Sequence, residues 1–259
     1  MRLYQIDAFT SELFGGNPAA VVPLEDWPDD SLLQAIAAEN NLAETAFFVP
    51  SKTADYHLRW FTPTNEVQLC GHATLATAWA LFHRLDFTGR RVHFNTASGP
   101  LTVTAEGDWL TLTLPAWPPE PVDAAPGLLR ALGVERADAV LQSRDTIVVL
   151  DNETAVRALR PDLNALEALD LFGVAVTAPG DAADVVYRFF APNQGIPEDP
   201  VTGSACSSLV PFWCDRLGRE RLDIHQVSTR GGELLCHNGP EKITVSGRAV
   251  CYLAGELSL

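Results

Sequence analysis

Ala54-Asp55-Tyr56-His57-Leu58-Arg59-Trp60-Phe61-Thr62-Pro63 returns later in the chain as Ala183-Asp184-Val185-Val186-Tyr187-Arg188-Phe189-Phe190-Ala191-Pro192. The two copies share the Ala-Asp pair, the arginine, the second aromatic and the proline at the same offsets. Working outward without a gap, Ala46 falls on Ala175 and Phe47 on Val176. In the other direction each copy reaches a turn of small residues that opens an apolar, helix-like run: Cys70-Gly71-His72-Ala73-Thr74 in the first, Thr202-Gly203-Ser204-Ala205 in the second. Further on, Thr96-Ala97-Ser98-Gly99-Pro100-Leu101 resembles Thr229-Arg230-Gly231-Gly232-Glu233-Leu234. A period well above a hundred residues is too long for a solenoid and reads as duplication of a whole half.

The local patterns fill in one half. Strands are expected around Asp7-Ala8-Phe9 and Ala20-Val21-Val22, on either side of the turn Gly15-Gly16-Asn17-Pro18. Asp30 is placed to cap a helix whose Leu32, Leu33, Ile36 and Ala37 form one apolar stripe. Ala46 to Val49 and His57 to Phe61 read as strands. The helix after Gly71 carries Leu75, Ala78, Trp79 and Phe82, is apolar nearly all round, and is expected to be buried. Leu101–Thr104 and Leu110–Leu114 alternate like a hairpin, and Trp117-Pro118-Pro119-Glu120-Pro121 reads as a linker. The second half repeats the plan, with Pro161 to Leu171 as its surface helix and Ser204 to Leu217 as its buried one. The halves are therefore set at residues 1–116 and 117–259, with the final strand able to pack on the first half.

The 259 residues are 47% hydrophobic and 20% charged, the range of a folded globular chain. A net charge of −15 argues against nucleic acid and anionic membrane surfaces. No apolar run approaches the roughly 20 residues of a membrane-spanning helix. The start, Met1-Arg2-Leu3-Tyr4-Gln5-Ile6-Asp7, lacks a long apolar region of the secretory kind. Cys70, Cys206, Cys214, Cys236 and Cys251 are odd in number and contain no CxxC pair, so neither a disulfide framework nor a zinc site is expected. These features together place the protein in the cytoplasm with reduced thiols.

Several residues can carry chemistry. Small residues at two helix starts let a ligand approach unpaired backbone N–H groups, or simply let helices pack closely. Glu44 lies between a helix and an apolar strand, and at its offset the second half has Gly173. It fits either a surface cap or a carboxyl whose pKa is raised by an apolar cleft, suited to acid–base work. His72 follows Gly71 directly and fits a structural or a functional role. Asp199 is a turn residue before proline, or a site residue close to the second helix start. Cys70 is a thiol base activated by the helix start or a small buried hydrophobe. No dinucleotide, P-loop, metal-cluster or GxSxG motif is visible.

Phe14-Gly15-Gly16-Asn17-Pro18-Ala19-Ala20-Val21, Asn41-Leu42-Ala43-Glu44-Thr45-Ala46-Phe47, Phe61-Thr62-Pro63, Cys70-Gly71-His72-Ala73-Thr74 and Glu198-Asp199-Pro200-Val201-Thr202-Gly203-Ser204-Ala205 resemble the signature blocks of PhzF-like proteins, a branch of the diaminopimelate epimerase superfamily. The resemblance runs from Ile6 to the final strand. It implies an α+β fold of two pseudo-symmetric halves, each a β-sheet curved around a central buried helix, with the active site in the cleft between them. It implies isomerase chemistry on a small anionic carboxylate without metal, flavin or pyridoxal phosphate, commonly in a homodimer. In the phenazine enzyme a glutamate moves a proton between carbons of a dihydro-hydroxyanthranilate ring, and Glu44 occupies that position. His72 and Asp199 match its partners in catalysis, and substrate contacts are expected from Asn17, Cys70, Gly71, Ala73, Thr202, Gly203 and Ser204. Two departures bear on the substrate: Ala43 where the family often has Ser, and Cys206-Ser207 where it often has His-Cys. The wider superfamily supplies another reading, in which Cys70 drives a racemase, epimerase or dehydratase. Thr202 stands where the opposed cysteine would be, and Thr is too weak an acid–base group for two-base racemisation. A silent ligand-binding protein is a third, opposed by the joint presence of Glu44, His72 and Asp199.

Overall fold

A computed structural model of the chain describes residues 1–258. The chain separates into two compact units, Met1–Thr113 with Val245–Leu259, and Leu114–Thr244. The last strand thus belongs to the first unit rather than to the stretch 117–259.

The first unit runs β1 (Arg2–Ala8), β2 (Asn17–Pro23), α1 (Asp30–Asn40), β3 (Glu44–Pro50), β4 (Tyr56–Phe61), β5 (Glu66–Val67), α2 (Gly71–Arg84), β6 (Arg91–Thr96), β7 (Gly99–Glu106) and β8 (Trp109–Pro115). The second contains β9 (Glu120–Pro121), α3 (Leu128–Leu132), β10 (Ala139–Gln142), β11 (Thr146–Val149), α4 (Glu153–Ala158), α5 (Leu163–Glu167), β12 (Val174–Pro179), β13 (Val185–Ala191), β14 (Ile196–Asp199), a 3-10 turn at Gly203–Ala205, α6 (Cys206–Leu217), β15 (Arg221–Gln226), β16 (Gly232–Asn238) and β17 (Lys242–Gly247). β18 (Ala249–Glu256) closes the first unit and pairs antiparallel with β1.

The pairing reveals the duplication directly. In the first unit β1 pairs antiparallel with β2, β2 parallel with β3, β3 antiparallel with β4, β4 parallel with β6, and β6 antiparallel with β7. In the second, β10, β11, β12, β13, β15 and β16 follow the same sequence of directions. Register agrees to the residue: Phe47 pairs with Arg59, and Val176 with Arg188. Arg59 and Arg188 therefore occupy equivalent strands. The third repeat needs a correction. Thr96 pairs with Gly99 and Gln226 with Gly232, so Gly99 does match Gly232. The counterpart of Thr96 is Gln226 and not Thr229, because the second hairpin turn is three residues longer.

Each sheet has a surface-helix side. Leu33, Ile36 and Ala37 of α1 pack on Ala20, Val22, Phe47 and Phe61. Val156 and Leu166 cover Val148, Val174 and Val176 in the second unit. Two sequence expectations shift here. Asp30 begins α1 but makes no cap; its carboxylate binds Arg59, and the N-cap position is Asp29. Of the surface helix expected over Pro161 to Leu171, only α5 (Leu163–Glu167) forms, and a second short helix, α4, precedes it. The side chains of Asn152 and Asp162 cap the two helices, and Pro161, which cannot donate to a preceding turn, lies between them.

α2 is the buried helix of the first unit. Gly71 through Ala78 are all buried, and the helix touches β1, β2, β3, β7 and β18. Gly, Ala and Thr side chains are small enough for strands to approach on several sides. Thr74 and Thr77 satisfy their hydroxyls on the carbonyls of Cys70 and Ala73, at 2.6 and 2.7 Å. In α6 the buried Trp213 donates from Nε1 to Thr177 Oγ1 at 3.0 Å, tying the helix to β12.

The register also explains why the duplication is unequal. Glu44 opens β3, and Gly173 precedes β12 at the same place. A Cβ on Gly173 would run into the Phe189 ring and lie 3.2 Å from Asp145 Oδ1. Only glycine fits. Gly173→Ala is expected to lower unfolding stability by about 1–3 kcal/mol, the scale of overpacking. Chemical denaturation of wild type and variant measures it; an unchanged midpoint would show that Phe189 moves aside freely.

Candidate active site

In each unit a clamp aims the loop that starts the buried helix. Arg59 donates from Nε and Nη2 to the two oxygens of Glu66 at 2.7 and 2.8 Å, and Arg188 does the same to Glu198 at 2.7 and 2.8 Å. Bidentate pairs of this kind fix geometry as well as adding energy. The arginine side chains are only 17% and 11% exposed, so screening weakens these pairs less than ordinary surface ion pairs. Ser98 Oγ then donates to the Gln68 carbonyl at 2.6 Å, and Ser228 Oγ to the Pro200 carbonyl at 2.7 Å. These are equivalent anchors two residues before Cys70 and Thr202.

The first loop delivers a compact cluster. His72 Nε2 lies 3.0 Å from Glu44 Oε2, and no donor besides that ring reaches this oxygen among the described residues. On the other side of the ring, Asn17 Nδ2 is 3.2 Å and Cys70 Sγ 3.5 Å from Nδ1. All four residues are buried. Burial alone would push the His72 imidazolium down, but Cys70 and Glu44 beside it raise its pKa well above the usual value. We take the Glu44 carboxylate as the decisive neighbour, because Cys70 is itself a neutral thiol near neutral pH. Burial, then the nearby Glu44 charge, push that thiol up to about 11. A sulfur, a ring nitrogen and a carboxylate oxygen of the Cys70, His72 and Glu44 trio fall within 4.8 Å of one another.

The second loop carries a different set. Asp199 ends β14, and its Oδ2 accepts from Thr202 Oγ1 at 2.5 Å. Gln226 holds the loop from both sides: its Oε1 accepts from the Thr202 amide at 2.6 Å and its Nε2 donates to the Asp199 carbonyl at 2.5 Å. Tyr187 Oη donates to the Thr202 carbonyl at 3.1 Å. Ser204, the counterpart of His72, accepts from Arg144 Nη2 at 3.1 Å. The same guanidinium grips Asp145 at 2.7 and 3.2 Å and lies over the rings of Trp117 and Phe172 at 5.1 and 5.0 Å. Burial raises the Asp145 pKa, against the pull of Arg144.

The structure thus gathers Asn17, Glu44, Cys70 and His72 in one unit, with Gly71 and Ala73 in the same first helical turn. Asp199, Thr202, Gly203 and Ser204 come together in the other. Sequence reading missed Arg144, Asp145, Gln226 and Tyr187. A charged Ser143-Arg144-Asp145 run just ahead of the apolar β11 was the available signal for the first two. Asp145 pairs in register beside Gly173, so the second unit keeps an acid near the position of Glu44, supplied by the neighbouring strand.

The family profile described as phenazine biosynthesis-like protein matches residues 6–255. The chain belongs to this family. It is 51% identical over 259 residues to an uncharacterized isomerase of Pseudomonas aeruginosa, covering 100% of this chain and 99% of that protein. It is similar to the crystal structure of a PhzF family phenazine biosynthesis protein of Enterococcus faecalis, with 45% identity, a TM-score of 0.96, and 100% and 99% of the two chains covered. A hydroxyproline epimerase of Agrobacterium vitis shares the fold at 12% identity and a TM-score of 0.65, over 98% and 91% of the chains. The α+β architecture read from the sequence is that of PhzF-like and epimerase-like proteins, and the chain is a PhzF-like member of an isomerase family. No helix among the described residues is long and apolar enough to cross a membrane.

The Cys70 thiol sets a pH test. Its pKa is raised from 9.0 to about 11 in the native state, so between those values the unfolded chain ionises while the native thiol does not. Stability should fall as pH rises through that window, by an amount of order 2 kcal/mol from this group. Cys70→Ser should remove that part of the loss, read as a shrinking difference between wild-type and variant unfolding curves from pH 9 to 11. A constant difference would mean that the native thiol ionises normally.

Proposed function

We propose that the protein is a cofactor-independent isomerase that shifts a proton between carbons of a small carboxylate substrate, with Glu44 as the single acid–base group. The observation that carries this reading is the buried Glu44–His72 pair at 3.0 Å, beside a thiol held un-ionised. A carboxylate takes a proton from an activated substrate carbon, becomes the acid, and returns the proton to a second carbon on the same face. His72 holds one carboxylate oxygen and fixes the rotamer. Asn17 fixes the ring from behind. Neither step needs a metal or a prosthetic group. Asp199, Thr202, Gly203 and Ser204 remain proposed substrate contacts of the second unit, with Cys70, Gly71 and Ala73 those of the first.

The thiol alternative is less well supported. A thiol with pKa about 11 is ionised to only roughly one part in ten thousand at pH 7. The same proposal takes a homodimer as the working form, supported by exposed Leu13, Phe14, Tyr252 and Leu253 on the first unit, and a cytoplasmic setting.

Glu44→Gln preserves shape and removes the base. It should lower solvent-deuterium exchange into a turned-over carboxylate substrate by at least about a hundredfold while ligand binding persists. Cys70→Ser should lose much less. An inactive Cys70→Ser beside an exchanging Glu44→Gln would transfer the chemistry to the thiol and the protein to the racemase or dehydratase branch.

A further inference from the structure

Arg144 has donors that its partners within the second unit leave over. We propose that Arg144 is the anion receptor of that unit, taking the substrate's carboxylate on Nη1 together with the hydroxyl of Ser204. A guanidinium carries five N–H groups in a rigid plane. Asp145 takes one edge of it, with Nε and Nη2 donating to Oδ1 and Oδ2 at 3.2 and 2.7 Å. The remaining Nη2 hydrogen goes to Ser204 Oγ at 3.1 Å. Among the described residues no acceptor is bonded to Nη1, and the side chain keeps 28% of its surface.

Ser204 adds a second donor at the same place. A guanidinium only donates, so the Ser204 oxygen is the acceptor in this pair and its own hydrogen is left for another group. Among the described residues no acceptor takes that hydrogen, and Ser204 is only partly buried. Nη1 and Nη2 end the same fork, about 2.3 Å apart for C–N bonds of this type. An oxygen that accepts from the Nη1 hydrogen on that side therefore lies beside Ser204 Oγ, within reach of its O–H. Two donors converge on one atom and one of them is charged, which favours an anionic oxygen.

The surroundings hold the guanidinium in place. Asp145 is 1% exposed and pins one edge from the interior. The rings of Trp117 and Phe172 lie 5.1 and 5.0 Å from the guanidinium carbon, and the Trp117 amide is itself fixed on the Ser207 carbonyl at 2.8 Å. Aromatic walls crowd water away from the charge and strengthen what it binds. Asp145 offsets part of that charge, and the N-terminal end of α6, two residues beyond Ser204, adds partial positive charge. The other copy supplies a contrast. β11 runs beside β12 as β2 runs beside β3, and Thr146 matches Ala20 in register, so Arg144 matches Pro18. The first unit carries Glu44 and has a proline at this place; the second carries the cation and has Gly173 where the acid stands.

That the bound anion is the substrate rests on the proposed function, whereas the anion site does not. Full-length protein is titrated calorimetrically with benzoate and with benzamide, its neutral counterpart. Wild type should bind benzoate at least about tenfold more tightly. Arg144→Gln combined with Asp145→Asn removes the cation without stranding a buried charge, and should abolish that preference while leaving benzamide affinity unchanged. Ser204→Ala should reduce the preference by a smaller factor. Arg144→Lys, which keeps the charge but not the fork, should lose most of it. Circular dichroism verifies that each variant is folded. A crystal of wild type grown with benzoate gives an answer without variants: one carboxylate oxygen is expected within hydrogen-bond distance of both Arg144 Nη1 and Ser204 Oγ. Benzoate bound no more tightly than benzamide by wild type, a preference that survives in the folded double variant, or a carboxylate seated away from Arg144 overturns the proposal. Glu44→Gln should keep the preference, and deuterium exchange judges Glu44 separately, so either reading can fail while the other stands.

Discussion

The arginine–glutamate clamp, made once in each unit, is the contact on which the rest of the architecture turns. β5 and β14 are too short to hold themselves on a sheet edge by backbone bonds alone. Arg59 and Arg188 reach across from the neighbouring strand and grip the carboxylates of Glu66 and Glu198 with the same atoms at the same distances. Each short strand then leads through a brief loop into the start of a buried helix: β5 to α2 at Gly71, and β14 to the 3-10 turn at Gly203 that opens α6. The clamp and the serine anchor behind it decide where the first residues of that helix stand. In one unit the consequence is a histidine pressed against a glutamate; in the other it is a serine held by an arginine.

The repeat was legible because its defining residues have structural work in both copies. The arginine survives as the clamp, the Ala-Asp pair as a turn whose Asp accepts from a neighbouring strand, and the small residues as the helix starts. Glu44, Cys70 and His72 were legible through family blocks, since pattern alone left each open between a structural and a chemical role. The residues that escaped reading are those whose partners lie far along the chain. Gln226 holds the Asp199 loop from 27 residues away, and nothing near either residue announces it. The third repeat was misaligned because three extra residues in the second turn place a threonine at a misleading offset. The second surface helix, expected from Pro161 to Leu171, is shorter at both ends because Asp162 caps it at Leu163 and it stops at Glu167, and the short helix α4 before Pro161 escaped reading.

The two copies also show how one scaffold supports unlike environments. In the first unit the acid rises from β3 and meets imidazole. In the second the equivalent β-strand start is glycine, an aromatic ring fills the room, and a carboxylate arrives from the adjacent strand already paired with Arg144. Among the described residues one acid is bound through a ring that can give up a proton, and the other is committed to a guanidinium that cannot. The difference in partner, more than the difference in acid, makes Glu44 the group suited to proton traffic.

The crowding at Gly173 limits what the chain can become. A variant of this chain cannot acquire a symmetric pair of glutamates in a single step without displacing Phe189. Any side chain at 173 collides with Phe189, and removing Phe189 first would empty a buried aromatic site, a change that ordinarily costs about 3–5 kcal/mol. Each route passes through a damaged intermediate. Packing of one ring thus holds the two copies to unlike chemistry at equivalent strand starts.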